Sequence, residues 1–219
     1  MSDDAGIDLL SRALAGLGLS AAAPRLEAYL AEIEKFNPAY GLVKAADRGE
    51  LIVKHLLDSL APLTPLRERL PPAARIADAG SGAGLPGIPL AICLGECEFT
   101  LIERMGRRAG FLRNVCAALG LANVSVEECE AEKAAAGRFD ALCFRAFRPL
   151  DKKLLDSLFR LCKPGAFLAA WKGKHDKARA EILACQSGGA GETFEAELLP
   201  VQVPCLEDQR CVVFLRQKN

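Results

Sequence analysis

One stretch decides the fold: Asp78-Ala79-Gly80-Ser81-Gly82-Ala83-Gly84-Leu85-Pro86-Gly87-Ile88-Pro89. It follows a short β-rich run that we predict to be a strand, and it precedes a helix-length segment. Glycines in such a turn let the backbone bend tightly and approach a ligand, because a Cβ would clash with the ligand or forbid a positive φ. Pro86 suits the first turn of the following helix, where a missing N–H is not needed. The stretch therefore predicts a strand, a ligand-binding turn and a helix in succession.

Two interpretations of the glycine turn remain open on spacing alone. The frame Gly82-x-Gly84-x-x-Gly87 matches the dinucleotide fingerprint, so a nicotinamide or flavin enzyme is one hypothesis. The frame Asp78-x-Gly80-x-Gly82-x-Gly84 places an acid at the end of the strand, which suits a sulfonium ligand that carries an ammonium group. Asp78 would repel the pyrophosphate of a dinucleotide. The second frame therefore favours S-adenosylmethionine, with Asp78 and the three glycines as candidate contacts.

A second acidic residue, Glu103, ends the next predicted strand. It lies roughly 20 residues beyond the glycines, where an acid accepts hydrogen bonds from both ribose hydroxyls of a bound nucleoside. Both candidate cofactors contain that ribose. Glu103 is therefore a candidate cofactor-binding residue that does not choose between the two interpretations.

The chain divides near residue 70 into two predicted parts. Before this point apolar residues recur at helical spacing and predict three helices: one that ends at Gly18, one that follows Ser20 and stops at Asn37-Pro38, and one over Glu50 to Pro62. After Pro71-Pro72, short β-rich runs alternate with helix-length segments, which is typical of parallel strands joined by helical crossovers. We therefore predict an N-terminal helical segment over residues 1–70 that packs on an S-adenosylmethionine-binding methyltransferase domain over residues 71–219.

Seven strands are predicted in the second part: Arg75–Asp78, Phe99–Glu103, Val124–Cys129, Phe139–Phe144, Ala166–Trp171, Ala196–Val203 and Cys211–Arg216. Helices are expected after Pro86, Gly106, Leu150 and Asp176, and a flexible loop over Gln186–Gly191. The last two strands are separated by the short link Pro204–Gln209, which suggests a hairpin and one antiparallel strand at the end of an otherwise parallel sheet. This pattern predicts an α/β, Rossmann-like class I methyltransferase fold, preceded by the N-terminal helical segment.

Composition limits the classes of protein that the chain can belong to. Its 28 basic and 28 acidic residues give a formal net charge of zero, which excludes a nucleic-acid grip over the whole surface and leaves room for a local basic patch. The acidic N-terminus does not resemble a secretory signal, and no apolar run approaches transmembrane length. The nine cysteines form no CxxC pair, and the two histidines supply a metal cluster poorly. We expect a cytoplasmic monomer that needs neither a membrane nor a metal.

The chemistry is expected at the end of the fourth strand, Phe139-Asp140-Ala141-Leu142-Cys143-Phe144-Arg145-Ala146-Phe147. It has no Pro-Cys, as a covalent C5-pyrimidine methyltransferase needs, and no Asp/Asn-Pro-Pro-Tyr, as an exocyclic-amine enzyme needs. A ring nitrogen such as guanine N7 already carries an in-plane lone pair, so positioning and desolvation suffice without a general base. Arg145 is the candidate catalytic residue, because a guanidinium donates two parallel hydrogen bonds to an acceptor edge or a carboxylate. An ion pair with a strand neighbour is the competing interpretation.

Polar residues elsewhere could line the same site. His55, Asp58 and Ser59 share one helix face, which favours a site-lining or packing role over a Ser-His-Asp hydrolase, because side chains on adjacent turns rarely converge. Basic residues that could ring the mouth of the sheet and hold phosphates are Arg104, Arg107, Arg108, Arg113, Arg145, Arg148, Lys152, Lys153, Lys172, Lys174 and Lys177. A solvated helix face is the competing interpretation for each of these clusters.

Several short motifs extend over nearly the whole chain: Phe36-Asn37-x-Ala39-Tyr40, Lys54-His55-Leu56-Leu57-Asp58-Ser59, the turn Gly80–Pro89, Phe139-Asp140 with Arg145-Ala146-Phe147, Lys172-Gly173 and Val203-Pro204. Together they resemble the ribosomal RNA small subunit methyltransferase G family, also called glucose-inhibited division protein B. The resemblance implies methyl transfer from S-adenosylmethionine to N7 of one guanine in 16S rRNA, either as free RNA or in the small ribosomal subunit.

The resemblance also implies roles for individual residues. Cofactor contacts are implied at Gly80, Leu85, the backbone near Glu130-Ala131 and Arg145, with Glu103 at the ribose position. Three further residues are expected to line the substrate site: His55, Asp58 and Lys172.

The chain departs from the usual family pattern at a few positions. Gly41-Leu42-Val43 stands where Asn-Leu-Thr is usual, Cys129 where an arginine is common, and Phe144 where a serine precedes the Arg-Ala pair. Cofactor binding should survive these changes, whereas target choice is less constrained because the altered residues could touch RNA. They motivate a competing hypothesis, a cofactor-binding RNA module with little activity or with a different RNA target.

Overall fold

The computed structural model describes residues 3–145, 149–187 and 194–218. Its strands are β1 (Arg75–Ala79), β2 (Glu98–Ile102), β3 (Val124–Glu127), β4 (Phe139–Arg145), β5 (Cys162–Lys172), β6 (Phe194–Val201) and β7 (Arg210–Gln217). Its helices are α1 (Asp3–Gly16), α2 (Ala23–Tyr40), α3 (Arg48–Leu51), α4 (Asp58–Leu60), α5 (Leu63–Arg67), α6 (Gly87–Cys93), α7 (Gly106–Leu119), α8 (Lys152–Phe159) and α9 (His175–Cys185).

The strands in this described part of the chain form one mixed sheet in the order β3-β2-β1-β4-β5-β7-β6. The first five strands are parallel to their neighbours among themselves, and β7 is antiparallel to both of its neighbours, β5 and β6. The predicted fold class, hairpin and antiparallel strand are therefore confirmed. The antiparallel strand was expected at the edge of the sheet, but it lies between β5 and β6. The chain first crosses through α9 to the edge strand β6, and the hairpin then returns β7 to the position beside β5.

All seven predicted strands are present, and β5 differs most from its predicted bounds. It begins at Cys162 rather than at Ala166 and includes Pro164 and Gly165. These two residues indicate a turn in the sequence, and Gly165 does adopt a positive φ of 79°. The pairing with β4 shifts register across them, from Phe139 opposite Cys162 to Ala141 opposite Phe167.

The helices follow the predicted segments with one clear correction. The second helix does not stop at Asn37-Pro38 but continues to Tyr40 and ends at Gly41, which adopts the left-handed conformation at φ 59°. Pro38 lacks one N–H near the end of an already formed helix, whereas Gly41 supplies the backbone conformation that ends it. The predicted loop over Gln186–Gly191 lies largely outside the described residues. None of the described helices is long and apolar enough to cross a membrane.

The third predicted helix contains a wide, π-helical turn. α3 passes directly into a π-helical stretch over Ile52–Leu57 and then into α4, so the helical run begins slightly before the predicted Glu50. Asp47 caps its start by accepting a hydrogen bond from the Glu50 N–H at 2.8 Å. π-Helical turns occur frequently at functional sites, and this one contains His55.

Two hydrophobic clusters lie on opposite faces of the sheet, because successive residues of one strand join different clusters: Ile76 one, Ala77 the other. The N-terminal helices join α6 and α7 in the first cluster, and α8 and α9 form the second. The division near residue 70 therefore stays a prediction, since the helices before it share a core with the sheet.

Candidate active site

Two clefts open at the carboxyl ends of the parallel strands and meet at Gly80 and Arg108. The chain leaves β1 towards β2 on one side and later returns to β4 on the other, and open α/β sheets bind ligands at such a reversal. The larger cleft, of about 750 Å³, is lined by the predicted residues His55, Asp58, Gly80, Gly82, Leu85, Arg145 and Lys172. The smaller cleft, of about 520 Å³, is lined by the predicted residues Gly80, Glu103, Glu130 and Ala131.

The glycine turn is fixed by hydrogen bonds before any ligand arrives. Gly80 and Gly82 have positive φ angles of 69° and 58°, which a residue with a Cβ adopts only with strain. The N–H groups of Gly80 and Ser81 donate to the carbonyl of Ile102 at 2.9 and 3.2 Å. The turn therefore presents its backbone to the larger cleft in one defined conformation.

Glu103 holds the same turn from the side of β2. Its carboxylate is nearly buried and accepts hydrogen bonds from the N–H of Gly82 at Oε2, at 2.9 Å, and from the N–H of Met105 at Oε1, at 2.8 Å. Each carboxylate oxygen has a second lone pair, so these bonds leave acceptor capacity for ribose hydroxyls. Glu103 thus both positions the turn and lines the smaller cleft.

Asp78 and Gly84 lie beneath the turn rather than in either cleft. Asp78 is 1% exposed and accepts the Gly87 N–H at Oδ2, at 3.0 Å, while its Oδ1 has no hydrogen-bond partner among the described residues. Burial raises the pKa of Asp78 to about 7. A Cβ at Gly84 would stand 2.5 Å from Ile88, so that glycine serves packing. The geometry gives these two residues a supporting position instead of the direct cofactor contact expected from the sequence.

The start of α6 offers no free N–H group to a phosphate. The N–H of Gly87 is taken by Asp78, the N–H groups of Ile88 and Leu90 donate to backbone carbonyls of the turn at 2.7 and 3.1 Å, and Pro89 has none. A dinucleotide site uses these donors to hold its pyrophosphate. The hydrogen bonding therefore argues against the dinucleotide interpretation of the Gly82–Gly87 frame.

Arg145 pairs with a residue far away in the sequence. Its Nη1 donates to Asp58 Oδ2 at 3.1 Å, and Arg210 donates through Nε to Asp58 Oδ1 at 3.0 Å. The indole N–H of Trp171 donates to the backbone carbonyl of Asp58 at 3.2 Å. One carboxylate from the N-terminal segment therefore joins two guanidinium groups from different strands. The competing interpretation of Arg145 is correct in giving it an ion pair, but the partner lies on a helix and not on a neighbouring strand.

The contacts of His55 fit a neutral imidazole ring. Its Nε2 lies 3.0 Å from the carbonyl of Lys44, which only accepts, and its Nδ1 lies 3.5 Å from Nη2 of Arg145, which only donates. Burial lowers the pKa of His55, in agreement with a proton on Nε2 alone. Ser59 donates to the backbone carbonyl of His55 at 2.7 Å rather than to its ring. The site-lining role is thus consistent with the geometry, and a hydrolase triad is not.

The comparison with known proteins gives the family. The model of the rRNA small subunit methyltransferase G family, GidB, matches residues 22–197. The ribosomal RNA small subunit methyltransferase G of Cellvibrio japonicus is 40% identical to this chain over 197 residues, which cover 89% of the chain and 86% of the relative. The chain belongs to this family. The protein of the same name from Treponema denticola is 36% identical over 220 residues, covering 88% of the chain and 85% of that relative.

The fold is shared more widely than the sequence. A solved structure of a SAM dependent methyltransferase from Aquifex aeolicus superposes with a TM-score of 0.55 at 22% identity, covering 73% of this chain and 91% of that one. At this identity the likeness concerns the fold alone. The family and the class I methyltransferase fold predicted from the sequence are thus both confirmed.

Several cleft residues of this family member were not found by sequence reasoning. Arg210 and Trp171 join the cluster around Asp58, and Glu181 accepts hydrogen bonds from Lys172 Nζ, at 2.7 Å, and from the Leu150 N–H. Glu181 lies on a helix and Arg210 at the start of the last strand, where no local motif marks them. The order of the strands in the sheet brings them to the cleft.

Tyr29 is a further residue that the sequence did not mark. It lies on α2, is completely buried, and donates its hydroxyl to the carbonyl of Ala83 in the glycine turn at 2.8 Å. Burial raises the pKa of Tyr29 well above its ordinary value, so the hydroxyl keeps its proton. In sequence it belongs to an apolar stripe that indicates helix packing, and its polar bond depends on where α2 lies.

The predicted basic residues separate into two groups. Arg108, Arg145 and Lys172 line the larger cleft, and Arg104 lines the smaller one. The larger cleft carries five basic and two acidic side chains: Lys54, Arg108, Arg145, Lys172, Arg210, Asp58 and Glu181. Other members of the predicted clusters pair away from both clefts: Arg113 with Glu128 and Lys152 with Asp156. Arg148 lies outside the described residues.

The departures from the family pattern differ in their distance from the clefts. Gly41 ends α2 in the left-handed conformation, which asparagine also tolerates. Val43 lines the larger cleft and Cys129 the smaller one. Phe144 is buried in the second hydrophobic cluster. Two of the four departures therefore lie where they can contact a ligand.

Proposed function

We propose that this member of the family is a 16S rRNA (guanine-N7)-methyltransferase that uses S-adenosylmethionine. The observation that carries the proposal is the junction of the two clefts at Gly80, which places a nucleoside-sized cleft beside a positively charged one. The family and its curated relatives, named ribosomal RNA small subunit methyltransferase G, supply the class of substrate. A donor in the smaller cleft could then face an RNA base in the larger cleft.

The residues present fit S-adenosylmethionine. The positive φ angles at Gly80 and Gly82 bring the backbone to the cleft without a Cβ. The N–H groups at the start of α6 are already hydrogen-bonded within the protein, which suits a ligand that has no phosphate to bind there. We assign the ribose to Glu103 and the adenine to the backbone near Glu130 and Ala131. Leu85 supplies an apolar wall in the larger cleft beside the turn.

The chemistry asks the protein for position rather than for proton transfer. When bound, S-adenosylmethionine supplies a methyl carbon that the guanine N7 lone pair attacks, and the sulfur keeps the electron pair of the broken bond. No proton leaves N7, so no general base is required. Arg145 and Arg210, held apart by Asp58, offer N–H donors to RNA acceptors such as guanine O6 and phosphate oxygens. We therefore give Arg145 an orienting role in catalysis, and His55 and Lys172 a lining role.

The remaining parts of the proposal concern the partner and the organisation of the chain. We propose that the protein acts as a cytoplasmic monomer on 16S rRNA or on the small ribosomal subunit, through the basic residues of the larger cleft. We also propose that residues 1–70 serve mainly to complete the site of the domain over residues 71–219. Tyr29, His55 and Asp58 are among the contacts of the first part with that site.

Two measurements test the proposal. S-adenosylhomocysteine should raise the melting temperature and NAD should not, since ligand at a hundredfold excess over its dissociation constant adds about 2.7 kcal/mol to the free energy of unfolding. Labelled methyl groups should enter small ribosomal subunits that lack the modification, with the label on guanine N7. Stabilisation by NAD alone would support the dinucleotide hypothesis. Stabilisation by S-adenosylhomocysteine without methyl incorporation would favour the hypothesis of a cofactor-binding RNA module with little activity.

A further inference from the structure

The larger cleft is lined by two carboxylates that differ in their free acceptor atoms. Asp58 uses Oδ1 for Arg210 and Oδ2 for Arg145. Glu181 accepts both of its hydrogen bonds, from Lys172 Nζ and from the Leu150 N–H, at the same atom, Oε1. Within the described ranges no group donates to Oε2 of Glu181. The cleft thus contains a fixed carboxylate with one oxygen available to a ligand.

Glu181 is held at the rim of the cleft by two separate elements. Lys172 is the last residue of β5, and Leu150 precedes α8, so the side chain is fixed from the sheet and from the chain that follows Arg145. The Glu181 side chain is 22% exposed and the Lys172 side chain 16% exposed. A carboxylate held this way loses little conformational freedom when a ligand binds, which favours a selective contact.

The acceptor matches one edge of guanine. Guanine presents N7 and O6 on one edge and the N1–H and 2-amino donors on another, so a base whose N7 faces the methyl donor turns its donors towards a different wall. A carboxylate oxygen accepts from such donors and cannot donate. Adenine has no 2-amino group and has an unprotonated N1, which would leave the carboxylate unpaired and repelled.

We propose that Oε2 of Glu181 accepts a hydrogen bond from the 2-amino group of the target base and thereby selects guanine. This inference rests on the proposed guanine-N7 methylation and adds the residue that reads the base. Lys172 orients the carboxylate by occupying Oε1, so its amino group acts through Glu181. Glu181 is then a specificity residue of the same cleft in which Arg145 orients the RNA.

Base replacement combined with mutation separates this role from a purely structural one. Small subunits are reconstituted with 16S rRNA that carries either guanine or inosine at the target, because inosine keeps N7, O6 and N1–H and lacks the 2-amino group. For the wild-type protein, inosine should lower kcat/KM about 10- to 100-fold, as loss of a hydrogen bond to a charged group does. In Glu181→Gln, kcat/KM on guanine should fall by a similar factor, and the further effect of inosine should almost disappear.

The controls keep stability and cofactor binding apart from base selection. Glu181→Gln retains an oxygen for Lys172 and the Leu150 N–H, so its melting temperature and its affinity for S-adenosylhomocysteine should match the wild type. Asp156→Asn removes an exposed carboxylate paired with Lys152 on α8 and should leave every value unchanged. Glu181→Asp keeps the charge but withdraws the oxygen, and it should show the same loss of discrimination.

Two results would overturn the inference. The first is a wild-type protein that methylates guanine and inosine subunits equally well, a measurement that needs no variant. The second is an inosine effect of the same size in Glu181→Gln and in the wild type, which would leave Glu181 only a structural role as the acceptor for Lys172 and the Leu150 N–H. A wild-type protein that methylates neither subunit would instead remove the proposed function, and with it this inference.

Discussion

At the scale of single residues, the site depends on carboxylates that hold other groups in place. Glu103 fixes the Gly82 N–H, Asp58 joins Arg145 to Arg210, and Asp78 accepts the Gly87 N–H beneath the turn. A charged acceptor makes a stronger hydrogen bond than a neutral one, at the cost of removing the charge from water. These carboxylates therefore hold the site in place, and they also affect the pH dependence of stability and the charge of the cleft.

Arg145→Ala should separate RNA orientation from cofactor binding. Arg145 lines the larger cleft, and Asp58 keeps Arg210 as its partner in the variant, so the fold and the affinity for S-adenosylhomocysteine should be largely unchanged. Methylation should fall about 100-fold in kcat/KM, because a misplaced base reacts slowly. Calorimetry and methyl incorporation measure the two effects. Arg113→Ala, which breaks an exposed ion pair with Glu128, is the control. If Arg145→Ala instead loses affinity for S-adenosylhomocysteine, Arg145 binds the cofactor.

Asp78 should make the stability of the protein fall as pH rises towards neutrality. Burial raises the pKa of Asp78 from 3.8 to about 7, so between these values the folded state binds more protons than the unfolded state. The free energy of unfolding then decreases by up to about 1.4 kcal/mol per pH unit in that interval, or about 2–4 °C in melting temperature per kcal/mol. Thermal melts from pH 5 to pH 8 should show a smaller decline for Asp78→Asn. Parallel curves for the two proteins would contradict the protonation of Asp78.

At the scale of elements, the turn from β1 to α6 is packed too closely for side chains at some glycines. A Cβ at Gly87 would lie 2.5 Å from Leu101 and 2.6 Å from Oδ2 of Asp78, although its φ is ordinary. Gly87 therefore allows α6 to begin directly above β1. The same close approach lets Asp78 occupy the N–H that a phosphate would otherwise need.

Gly87→Ala should destabilise the protein by about 1–3 kcal/mol through overpacking. Gly110 on α7 is the matched control, because nothing lies within 4 Å of its Cβ position. Gly110→Ala should be neutral or stabilise by up to about 1 kcal/mol, since alanine is the better helix former. Denaturant unfolding measures both. Equal stabilities for the two variants would contradict the packing that places α6 on β1.

At the scale of the whole molecule, the N-terminal helices complete a site that the sheet begins. Tyr29 reaches the glycine turn from α2, and Asp58 reaches Arg145 and Arg210 from α4. Phe36 of α2 also packs edge-on against Phe111 of α7, with ring centroids 5.7 Å apart. The helices before residue 70 therefore influence the clefts directly, and changes in them should reach cofactor binding.

Tyr29→Phe tests this connection. The variant leaves the buried carbonyl of Ala83 without its donor, which should cost about 1–3 kcal/mol in the free energy of unfolding and weaken the affinity for S-adenosylhomocysteine. Tyr40→Phe is the control, because the described residues give its ring contacts with Phe36 and Arg107 and no hydrogen bond to its hydroxyl. If both variants bind and unfold alike, the N-terminal helices do not set the conformation of the turn.

Local patterns in the sequence determined the elements and one side of the site. The glycine turn, the acid that follows β2 and the alternation of short strands with helices depend on neighbouring residues, so spacing alone predicts them. The family resemblance rested on the same local motifs. The end of α2 was misplaced because Pro38 is a helix breaker in general, while its position in the last turn made the break unnecessary.

The other side of the site was decided by the tertiary structure. Asp58 lies 87 residues from Arg145 and 152 residues from Arg210 in the chain, and the β4-β5-β7 order brings the two strands and the helix together. Oε2 of Glu181 accepts no hydrogen bond from the part of the chain that the structure describes, and this likewise depends on Lys172 and Leu150 both approaching Oε1. Sequence spacing specifies which groups are available and their local conformation. Long-range packing decides which charge meets which partner, because a pairing between distant segments leaves no period in the chain.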